Sequence, residues 1–371
     1  MLTNNIVSNL KELDAAYIRH ILEFHFHPEY GTPYWIERQK RLKYKDVTAV
    51  KDWHSFKEIV GFQDAEDQRK FENDTRRLSL EKFIPKSVLE DSSRKIWASQ
   101  TGGTTGIPKH GCWDSEYWAN VMDFTDEFLD VFGVPYKANW LFLGPMGPHT
   151  TGRLVVDIAQ GRGGLCYSID LDPRFVKIAV NEKMNETLDR YLKHIWEQTE
   201  SILKYQKVEV LFATSRLLEM APEYIDMELF KGLKGIVHAG TPLDSDTNEL
   251  LQTELFPDIP IIGMYGTSTT GISYQAKGMI HKPYRVVYVP SSPYIILEVV
   301  NADGDIVPYE SEGFLATYRL TEDYLIPGFW ERDKGIRVKP EGFLSAKYPW
   351  DWVGEIYSYY TRTDKKLDGV Y

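Results

Sequence analysis

The stretch TGGTTGIPK at residues 101–109 decides how the rest of the chain is interpreted. Its three glycines allow the backbone to turn tightly and to approach a ligand closely. Its three threonines supply hydroxyl groups that can rotate toward phosphate oxygens, and Lys109 adds a positive charge beside them. A short apolar segment at 95–98, predicted as a strand, precedes it. We therefore predict that this segment, called the Gly/Thr loop below, binds a polyphosphate.

The Gly/Thr loop differs from the two best-known phosphate-binding patterns. A Walker A loop has glycine, lysine and serine or threonine in direct succession, but Ile107 and Pro108 separate Gly106 from Lys109 here. The Gly-x-Gly-x-x-Gly pattern of dinucleotide-binding proteins does not fit either. The plain alternative is a surface turn that is rich in glycine and threonine and binds nothing.

Composition limits the class of protein further. The 371 residues are 43% hydrophobic and 26% charged, as in a globular chain and unlike a disordered one. The net charge of −11 argues against nucleic acid as a partner. We find neither a transmembrane run nor a secretory signal, so no membrane partner is expected. The two cysteines can form neither a disulfide framework nor a four-cysteine zinc site, which favours a cytoplasmic location.

Strands and helices alternate along the chain, which predicts an α/β fold with a parallel-rich sheet flanked by helices. Strands are predicted at 140–143, 208–212, 235–240 and 259–265, with helices at 183–206 and 244–255. A further helix is predicted to include Trp113 and to continue to about Phe132. We divide the chain into an α/β body of two subdomains at 1–274, a small antiparallel, barrel-like β lobe at 275–357, and a tail at 358–371.

The Gly/Thr loop resembles the Ser/Thr-Ser/Thr-Gly-Thr-Thr-Gly-x-Pro-Lys loop of the adenylate-forming superfamily. That superfamily comprises acyl-CoA ligases, firefly luciferases and peptide-synthetase adenylation domains, and the chain looks most like the phenylacetate–CoA ligase branch. The resemblance implies that a carboxylate and MgATP are converted to an acyl-adenylate and pyrophosphate. It therefore implies ATP and Mg²⁺ as cofactors and a small-molecule carboxylic acid as the substrate.

Several segments resemble the superfamily's nucleotide contacts. The resemblance implies that the Gly/Thr loop binds the β- and γ-phosphates of ATP. The residues expected to contribute are Thr101, Gly102, Gly103, Thr104, Thr105, Gly106 and Lys109. The segment AGTPL resembles a turn that lies against adenine, through Ala239, Gly240 and Thr241. The segment MYGTST at 264–269 resembles the Tyr-Gly-x-Thr-Glu motif, which implies nucleotide contacts by Tyr265, Gly266, Thr267, Ser268 and Thr269. In that motif Tyr265 would stack on adenine and Ser268 would contact the α-phosphate.

Other segments resemble the ribose and substrate contacts. Asp333, in the segment FWERD, matches the aspartate that accepts hydrogen bonds from the ribose, and Arg362 matches an arginine of the hinge. His149 matches the position beside the acyl carboxylate, where it would act as a donor. Because ligands bind at the carboxyl ends of strands in open α/β sheets, further substrate contacts are expected near such ends. These candidates are Phe212, Ala213, Gly263, Met264 and Gly271.

One departure from the superfamily affects the metal. Thr269 occupies the position of the glutamate that helps to bind magnesium, and a hydroxyl does not neutralise Mg²⁺ as a carboxylate does. Three explanations stay open: the phosphates and water bind the ion, another acid such as Asp323 or Glu322 substitutes, or adenylation is impaired. The metal ligands are therefore unknown.

The second departure is at the end of the chain. Relatives continue past the hinge into a mobile C-terminal domain, which is expected to be absent here, by natural truncation or by trimming. We expect activation of a carboxylic acid, with an aromatic acid favoured by the resemblance and by the 10 Trp and 23 Tyr. The adenylate would pass to a downstream reductase or another acyl-acceptor enzyme, in a natural-product pathway such as a phenazine-type one. The alternatives are the core of a CoA ligase and a non-catalytic nucleotide binder; the oligomeric state is open, with a dimer plausible.

Overall fold

The computed structural model describes residues 15–42, 46–102, 107–278 and 284–358. Within these ranges every helix is too short or too polar to cross a lipid bilayer. The helices that position the candidate site are α1 (Ala15–Phe26), α2 (Pro33–Leu42), α3 (Trp53–Ile59), α4 (Ala65–Arg77), α5 (Lys86–Glu90), α6 (Ser115–Phe132), α7 (Thr150–Gly161), α8 (Pro173–Asn181), α9 (Asn185–Tyr205), α10 (Ser215–Tyr224) and α11 (Ser245–Leu250).

The strands form one large sheet and one two-stranded sheet. Their bounds are β1 (Ile96–Gln100), β2 (His110–Asp114), β3 (Trp140–Gly144), β4 (Cys166–Asp170), β5 (Val210–Ala213), β6 (Gly235–His238), β7 (Ile261–Thr267), β8 (Gly271–Gln275), β9 (Val287–Pro290), β10 (Ile295–Val300), β11 (Glu312–Leu320), β12 (Leu325–Val338) and β13 (Trp352–Ser358). The large sheet has the order β10-β11-β12-β13-β9-β8-β7-β6-β5-β3-β4, and β1 pairs with β2.

The half of the large sheet that contains β3 to β7 is parallel. Every residue of β3, β5 and β6 is buried, as expected for strands covered by helices on both faces. The aromatic face of α6 and the apolar face of α7 pack on one side, and α9 and α10 pack on the other. The predicted α/β fold class is confirmed.

From β7 onward the strands are antiparallel. The strands of the segment 275–357 belong to the same sheet as the parallel strands, because β8 pairs with both β7 and β9. Helices α1 to α5 contribute a third apolar cluster, which packs on β10 to β12. In consequence, β7 links the parallel and antiparallel halves, and the N-terminal helices lie against the antiparallel half.

Trp113 lies in β2 and not in a helix, so this part of the prediction is wrong. The antiparallel register pairs Trp97 with Trp113 and Ile96 with Asp114. Helix α6 begins only after Asp114, whose carboxylate accepts the backbone N–H of Tyr117 and so caps the helix. The aromatic spacing continues across the cap, and this is why the pattern alone placed the helix start too early.

Candidate active site

A cleft of about 1860 Å³ runs along the junction of the two halves of the sheet. It is lined by residues from segments that are far apart in the chain, including β2, the turn after β6, the turn after β7 and the middle of β12. The predicted site residues that line it are Thr101, Gly102, Lys109, His149, Ala239, Gly240, Thr241, Met264, Gly266, Thr267, Ser268, Gly271 and Asp333. The structure thus brings most of the predicted residues together in one place.

The two ends of the Gly/Thr loop are joined at its neck. The N–H of Thr101 donates to the carbonyl of Lys109, and the N–H of Lys109 donates to the Thr101 hydroxyl, both at 3.0 Å. Arg174 of α8 donates to the carbonyl of Thr101 at 3.1 Å, and Arg76 of α4 donates to the carbonyl of Ile107 at 3.0 Å. The loop therefore leaves and re-enters the fold at fixed points. Its central residues, Gly103, Thr104, Thr105 and Gly106, lie outside the described residues.

His149 is the residue before the first turn of α7, and it is held next to the start of the loop. The N–H of Gln100 donates to the carbonyl of Pro148 at 2.8 Å, which ties the end of β1 to this segment. Burial lowers the pKa of His149, and the charge of Arg174 lowers it further. A neutral imidazole at neutral pH keeps one N–H donor, so His149 can bind an anionic oxygen without carrying a charge.

The turn at 239–241 depends on a glycine. Gly240 has a φ of +88°, a left-handed conformation that residues with a Cβ rarely adopt. The hydroxyl of Thr241 lies 2.6 Å from that of Ser215, and the Ser215 hydroxyl also donates to the carbonyl of Pro242 at 2.9 Å. The start of α10 thereby fixes this turn at the wall of the cleft.

The residues 267–270, called the threonine turn below, connect β7 to β8. The Thr267 hydroxyl accepts the N–H groups of Thr269 at 3.3 Å and Thr270 at 3.1 Å. It also lies 2.7 Å from the Thr270 hydroxyl and 3.1 Å from that of Thr269. The threonines therefore hold the turn closed, and Ser268 lines the cleft.

Buried side chains hold the threonine turn from below. The carbonyl of Ser268 accepts hydrogen bonds from the Ser99 hydroxyl at 2.7 Å and the Trp113 indole at 3.0 Å. The carbonyl of Thr269 accepts one from Arg319 at 2.9 Å. Arg319 is fully buried, with its charge balanced by Asp323 at 2.7 Å. These donors fix the backbone that presents Ser268.

The middle of β12 bulges into the cleft at residues 331–333. Against β11, Ala316 pairs with Trp330 but Phe314 pairs with Lys334, so β12 has two more residues than its neighbour over this interval. Such bulges redirect side chains and are common next to functional sites. Gln68 of α4 accepts the N–H of Trp330 and donates to its carbonyl, at 2.9 and 3.1 Å. The charged run Glu331, Arg332 and Asp333 consequently lines the cleft.

Of these three residues, only Asp333 is among the predicted site residues. Its Oδ2 atom accepts the hydroxyl hydrogen of Tyr265 at 2.9 Å. Burial raises the pKa of Asp333, while the Tyr265 hydrogen bond and the charge of Lys109 lower it. Tyr265 itself is not a lining residue of the cleft, but this bond places it directly beside one.

Glu331 is the site residue that the sequence argument missed. Burial raises its pKa to about 7, against the charge of Lys109, which lowers it. Its Oε1 atom is inaccessible to solvent and has no hydrogen-bond partner among the described residues. The signal in the sequence was a run of four charged residues, Glu331 to Lys334, directly after the apolar first half of β12.

Several predicted residues lie outside the cleft lining. Phe212 and Ala213 are buried in β5, where Phe212 packs against Phe142 at a ring distance of 5.4 Å. Gly263 is buried in β7, where its N–H donates to Gln275 at 2.8 Å. Thr269 lies beneath the cleft, at a small separate void. Arg362 lies outside the described residues.

The two acids suggested as substitutes for a magnesium-binding glutamate are engaged elsewhere. Asp323 is fully buried and accepts from Arg319 and from the N–H of Asp114. Glu322 pairs with His20 and Arg94. Neither lines the cleft. In the described part of the chain, no group of three or more His, Cys, Asp or Glu side chains is arranged to hold a metal ion.

No known family model matches the sequence, and no curated protein matches it either. Solved structures do match in fold. An open conformation of 2-hydroxyisobutyryl-CoA ligase, in complex with 2-HIB-AMP and CoA, superposes with a TM-score of 0.62 at 11% identity, over 93% of this chain and 68% of that chain. The chain shares the fold of this ligase.

Two further structures of 2-hydroxyisobutyryl-CoA ligase give the same result. The postadenylation state with R3-HIB-AMP has a TM-score of 0.61 at 11% identity and covers 93% of this chain and 66% of that chain. The thioesterification state with 2-HIB-AMP and CoA has a TM-score of 0.61 at 12% identity, over 92% of this chain and 66% of that chain. The chain thus spans about two thirds of the length of the ligase. At this low sequence identity, the similarity is one of fold alone.

Proposed function

We propose that this protein activates a carboxylic acid with ATP, forming an acyl-adenylate and pyrophosphate. The observation that carries the proposal is that segments from distant parts of the chain meet at one cleft. Both described ends of the Gly/Thr loop, the turn at 239–241, the threonine turn and the β12 bulge come from distant parts of the chain, yet all line one cleft. Their order along the chain resembles that of the motifs of an adenylate-forming enzyme, and the shared fold supports the same proposal.

The chemistry needs no nucleophile from the protein. An oxygen of the substrate carboxylate attacks the α-phosphorus of ATP, a new C(O)O–P bond forms, and the bond to the bridging oxygen breaks, so that pyrophosphate leaves with the electron pair. The task of the protein is to align the reactants and to stabilise the negative charge that develops on phosphorus. We assign Lys109 to the leaving phosphates, Ser268 to the α-phosphate and the His149 N–H to the carboxylate.

The nucleoside end of ATP is assigned to the other wall of the cleft. The turn with Ala239 and Gly240 lines the cleft, and the small side chain of Ala239 and the missing one of Gly240 suit the close approach of a flat base. Asp333 is an acceptor suited to the ribose hydroxyls, and Tyr265 fixes its orientation. Mg²⁺, when bound, would neutralise part of the charge of the triphosphate.

An aromatic or otherwise apolar acid is the substrate class that we propose. Apolar side chains are among the lining residues of the cleft, and Trp113, Leu154 and Ile272 belong to the same apolar cluster as Met264. Flat apolar surfaces of this kind favour an aromatic ring over a charged or hydrophilic substituent. A phenazine-type setting and transfer of the adenylate to a partner enzyme rest on the sequence resemblance alone and stay predictions.

A non-catalytic nucleotide binder is the second candidate function, and one observation favours it. Thr269 replaces the acid that adenylate-forming enzymes use toward magnesium, and its hydroxyl is already bonded to that of Thr267. A binder of this kind would hold ATP or an adenylate without turning it over.

Exchange of labelled pyrophosphate into ATP tests the proposal. We expect exchange that depends on an added carboxylic acid, strongest with benzoic and heteroaromatic acids. Lys109→Met should lower the exchange rate about tenfold to hundredfold, because a contact to a charged group contributes ~1.5–3 kcal/mol. Lys207→Met is the matched control. Lys207 is exposed, pairs with Glu209 and does not line the cleft, so this variant should leave the exchange rate unchanged.

The outcomes separate the candidates. Nucleotide binding without exchange for a broad panel of acids would favour the binder. Thioester formation on addition of CoA would extend the activity to that of a CoA ligase. Production of ADP instead of AMP would overturn the proposal.

A further inference from the structure

We propose that Arg174 is a positioning residue for the first peptide group of the Gly/Thr loop. It fixes the peptide between Thr101 and Gly102 so that the Gly102 N–H, and not the Thr101 carbonyl, faces the phosphates of the nucleotide. The inference rests on the proposed function, because it takes the phosphates of ATP as the ligand of the loop. It gives a role to a residue of α8 that does not itself line the cleft.

The orientation of the peptide between Thr101 and Gly102 follows from one hydrogen bond. The Thr101 carbonyl accepts the Nη2 atom of Arg174 at 3.1 Å, so it points toward α8. In a trans peptide the carbonyl and the following N–H point in opposite directions, which turns the Gly102 N–H away from Arg174. Thr101 and Gly102 line the cleft, whereas Arg174 does not. The Gly102 N–H therefore faces the cleft, and within the described ranges it donates to no other backbone group.

Residue 102 is a glycine, and this makes the peptide easy to turn over. Rotation of the peptide group by half a turn would aim the Thr101 carbonyl at the ligand and the N–H away from it. Such a rotation moves the φ of residue 102 into the positive range, which costs glycine little. Gly102 lies outside the left-handed region, and no described atom lies within 4 Å of a Cβ added to it. Packing among the described residues therefore does not hold this peptide, whereas the hydrogen bond from Arg174 does.

Arg174 is itself held by a row of side chains beneath the neck of the loop. Its Nη2 atom also donates to Gln100 Oε1 at 2.8 Å, and Gln100 Nε2 lies 3.0 Å from His110 Nε2. Gln100 and His110 are opposite each other in the pairing of β1 with β2. His110 Nδ1 in turn lies 3.3 Å from the carbonyl of Thr75 in α4. The row thus connects α8 to α4 through the two strands that flank the loop.

The hydrogen bonds of this row have one consistent direction. A guanidinium group only donates, so Gln100 presents its oxygen to Arg174 and its amide N–H to His110. His110 Nε2 is then the acceptor, and the ring proton is on Nδ1, where it donates to the Thr75 carbonyl. That carbonyl only accepts, so it requires the same tautomer from the other end of the row. Because both ends agree, the row holds Arg174 without a clash of donors or acceptors.

Nucleotide binding without an added acid tests the role of Arg174. Exchange rates would mix two effects, since burial and the charge of Arg174 both lower the pKa of His149. The affinities for ATP and for AMP are therefore measured by calorimetry. Arg174→Met should weaken ATP binding at least about tenfold, which corresponds to about 1.4 kcal/mol. AMP binding should be unchanged, because AMP lacks the β- and γ-phosphates.

Two variants accompany this measurement. Arg153→Met is the matched control, because Arg153 belongs to α7, pairs with Asp157 at 3.2 Å and does not line the cleft. It should bind both nucleotides as the wild type does. Gln100→Leu keeps the charge of Arg174 and removes one of its partners. It should weaken ATP binding less than Arg174→Met does, again without an effect on AMP.

A second substitution separates the orientation of the peptide from the charge of Arg174. Alanine, unlike glycine, rarely adopts a positive φ, so Gly102→Ala opposes rotation of the peptide even without Arg174. The loss of ATP affinity caused by Arg174→Met should therefore be much smaller in the Gly102→Ala background than in the wild-type background. A direct contact between the guanidinium group and the phosphates would give the same loss in both backgrounds.

The amide proton of Gly102 gives a readout by nuclear magnetic resonance. When threonine carries a labelled carbonyl carbon and glycine a labelled nitrogen, a spectrum that selects the bond between the two labels shows only glycines that follow a threonine. These are Gly102, Gly106, Gly152 and Gly271. We expect the Gly102 proton to move downfield when ATP binds but not when AMP binds. In Arg174→Met this response to ATP should be lost.

The failures are distinguishable. If the wild type binds neither ATP nor AMP, the proposed function fails. If ATP binds but Arg174→Met keeps its full affinity, or the Gly102 proton does not respond to ATP, only the role of Arg174 is overturned. Equal losses for ATP and AMP, or a loss that is the same in the Gly102→Ala background, would also show that Arg174 does not act through this peptide.

Discussion

Asp333 illustrates how a single side chain can be held in place for the ribose contact that we propose. Its carboxylate is half-buried at the β12 bulge, and burial raises its pKa although the Tyr265 hydrogen bond and the charge of Lys109 act in the opposite direction. The Tyr265 hydroxyl fixes one of its oxygens at 2.9 Å. An acceptor held in this way loses little conformational freedom when a sugar hydroxyl binds to the other oxygen.

For Asp333→Ala we predict a loss of ATP affinity of about tenfold to hundredfold. A hydrogen bond to a charged group contributes ~1.5–3 kcal/mol, and this variant removes the acceptor. The measurement is calorimetric titration of wild type and variant with ATP and with 2′,3′-dideoxy-ATP. Because the dideoxy nucleotide has no ribose hydroxyls, the two proteins should bind it equally. An equal loss for both nucleotides would show that Asp333 does not contact the ribose.

Single residues also show which parts of the candidate site could not be predicted from the sequence. Lys109 was predicted because the loop that ends in it resembles a known motif, and Asp333 because it matches the aspartate of a motif whose other residues differ here. Glu331 is only two residues from Asp333, yet its position depends on the two extra residues of β12 at the bulge. Alternation along a regular strand does not predict which side chains a bulge redirects. Arg319, which holds the carbonyl of Thr269, is separated from it by 50 residues and had no local signal.

At the scale of elements, the site depends on close contact between β2 and the threonine turn. A Cβ atom at Gly111 would lie 2.9 Å from the Thr269 Cγ2 atom and 3.2 Å from the carbonyl oxygen of Ser268. These distances are shorter than van der Waals contact, so β2 can approach the turn only because residue 111 is glycine. The strand that follows the Gly/Thr loop and the turn that carries Ser268 are therefore packed as one unit.

Gly111→Ala should displace the threonine turn and lower pyrophosphate exchange more than it lowers stability. Overpacking of this kind costs about 1–3 kcal/mol of unfolding free energy. Thr269→Ser in the same chain removes the nearest clashing atom and should restore part of the activity. Gly161→Ala is the control, because nothing lies within 4 Å of its added Cβ. Exchange rates and urea unfolding of the variants test this prediction, and an unaffected Gly111→Ala rate would contradict it.

Most elements were predictable because their apolar periodicity is undisturbed. The predicted helix at 183–206 corresponds to α9 at Asn185–Tyr205, and the predicted strand at 140–143 corresponds to β3. Trp113 was misplaced since its spacing from Tyr117 and Trp118 of α6 is also the spacing of residues on one face of a helix. The pairing of β8 with β9, which places the antiparallel strands in the main sheet, is a tertiary contact that a local pattern does not show.

At the scale of the whole molecule, two buried histidines link stability to pH. His25 is fully buried between the Thr32 hydroxyl at 2.7 Å and the carbonyl of Thr321 at 2.8 Å, and it joins α1 to the loop after β11. His238 is fully buried at the end of β6, and neither ring nitrogen has a partner among the described residues. Burial lowers the pKa of each to about 4.

We predict that acidification below about pH 6.5 destabilises the protein through these histidines. In the unfolded chain each takes up a proton near pH 6.5, whereas in the folded chain each stays neutral until about pH 4. The unfolded state therefore binds more protons in this window, and each histidine removes up to ~1.4 kcal/mol of stability per pH unit. The contribution of the two neutral histidines to the free energy of unfolding is fully present above pH 6.5 and is lost as the pH falls toward 4.

His238→Leu isolates one of the two contributions. This variant removes the titrating ring without breaking a hydrogen bond between described residues. Urea unfolding between pH 7 and 4.5 should show a smaller loss of stability for the variant, by up to ~1.4 kcal/mol per pH unit. Comparison with the wild type cancels Asp114, whose pKa burial raises to about 6 and whose effect has the opposite sign. Parallel pH profiles for the two proteins would contradict the prediction.

The continuity of the large sheet has a consequence for synthesis of the protein. The Gly/Thr loop begins at residue 101, but the wall that it faces belongs to β12, which ends at Val338. A nascent chain that has left the ribosome only as far as β8 carries the loop with no opposite wall. Contacts between the ends of the loop and β12 can therefore form only after β12 has left the ribosome, and until then the half-built sheet presents an open edge to other chains and to chaperones.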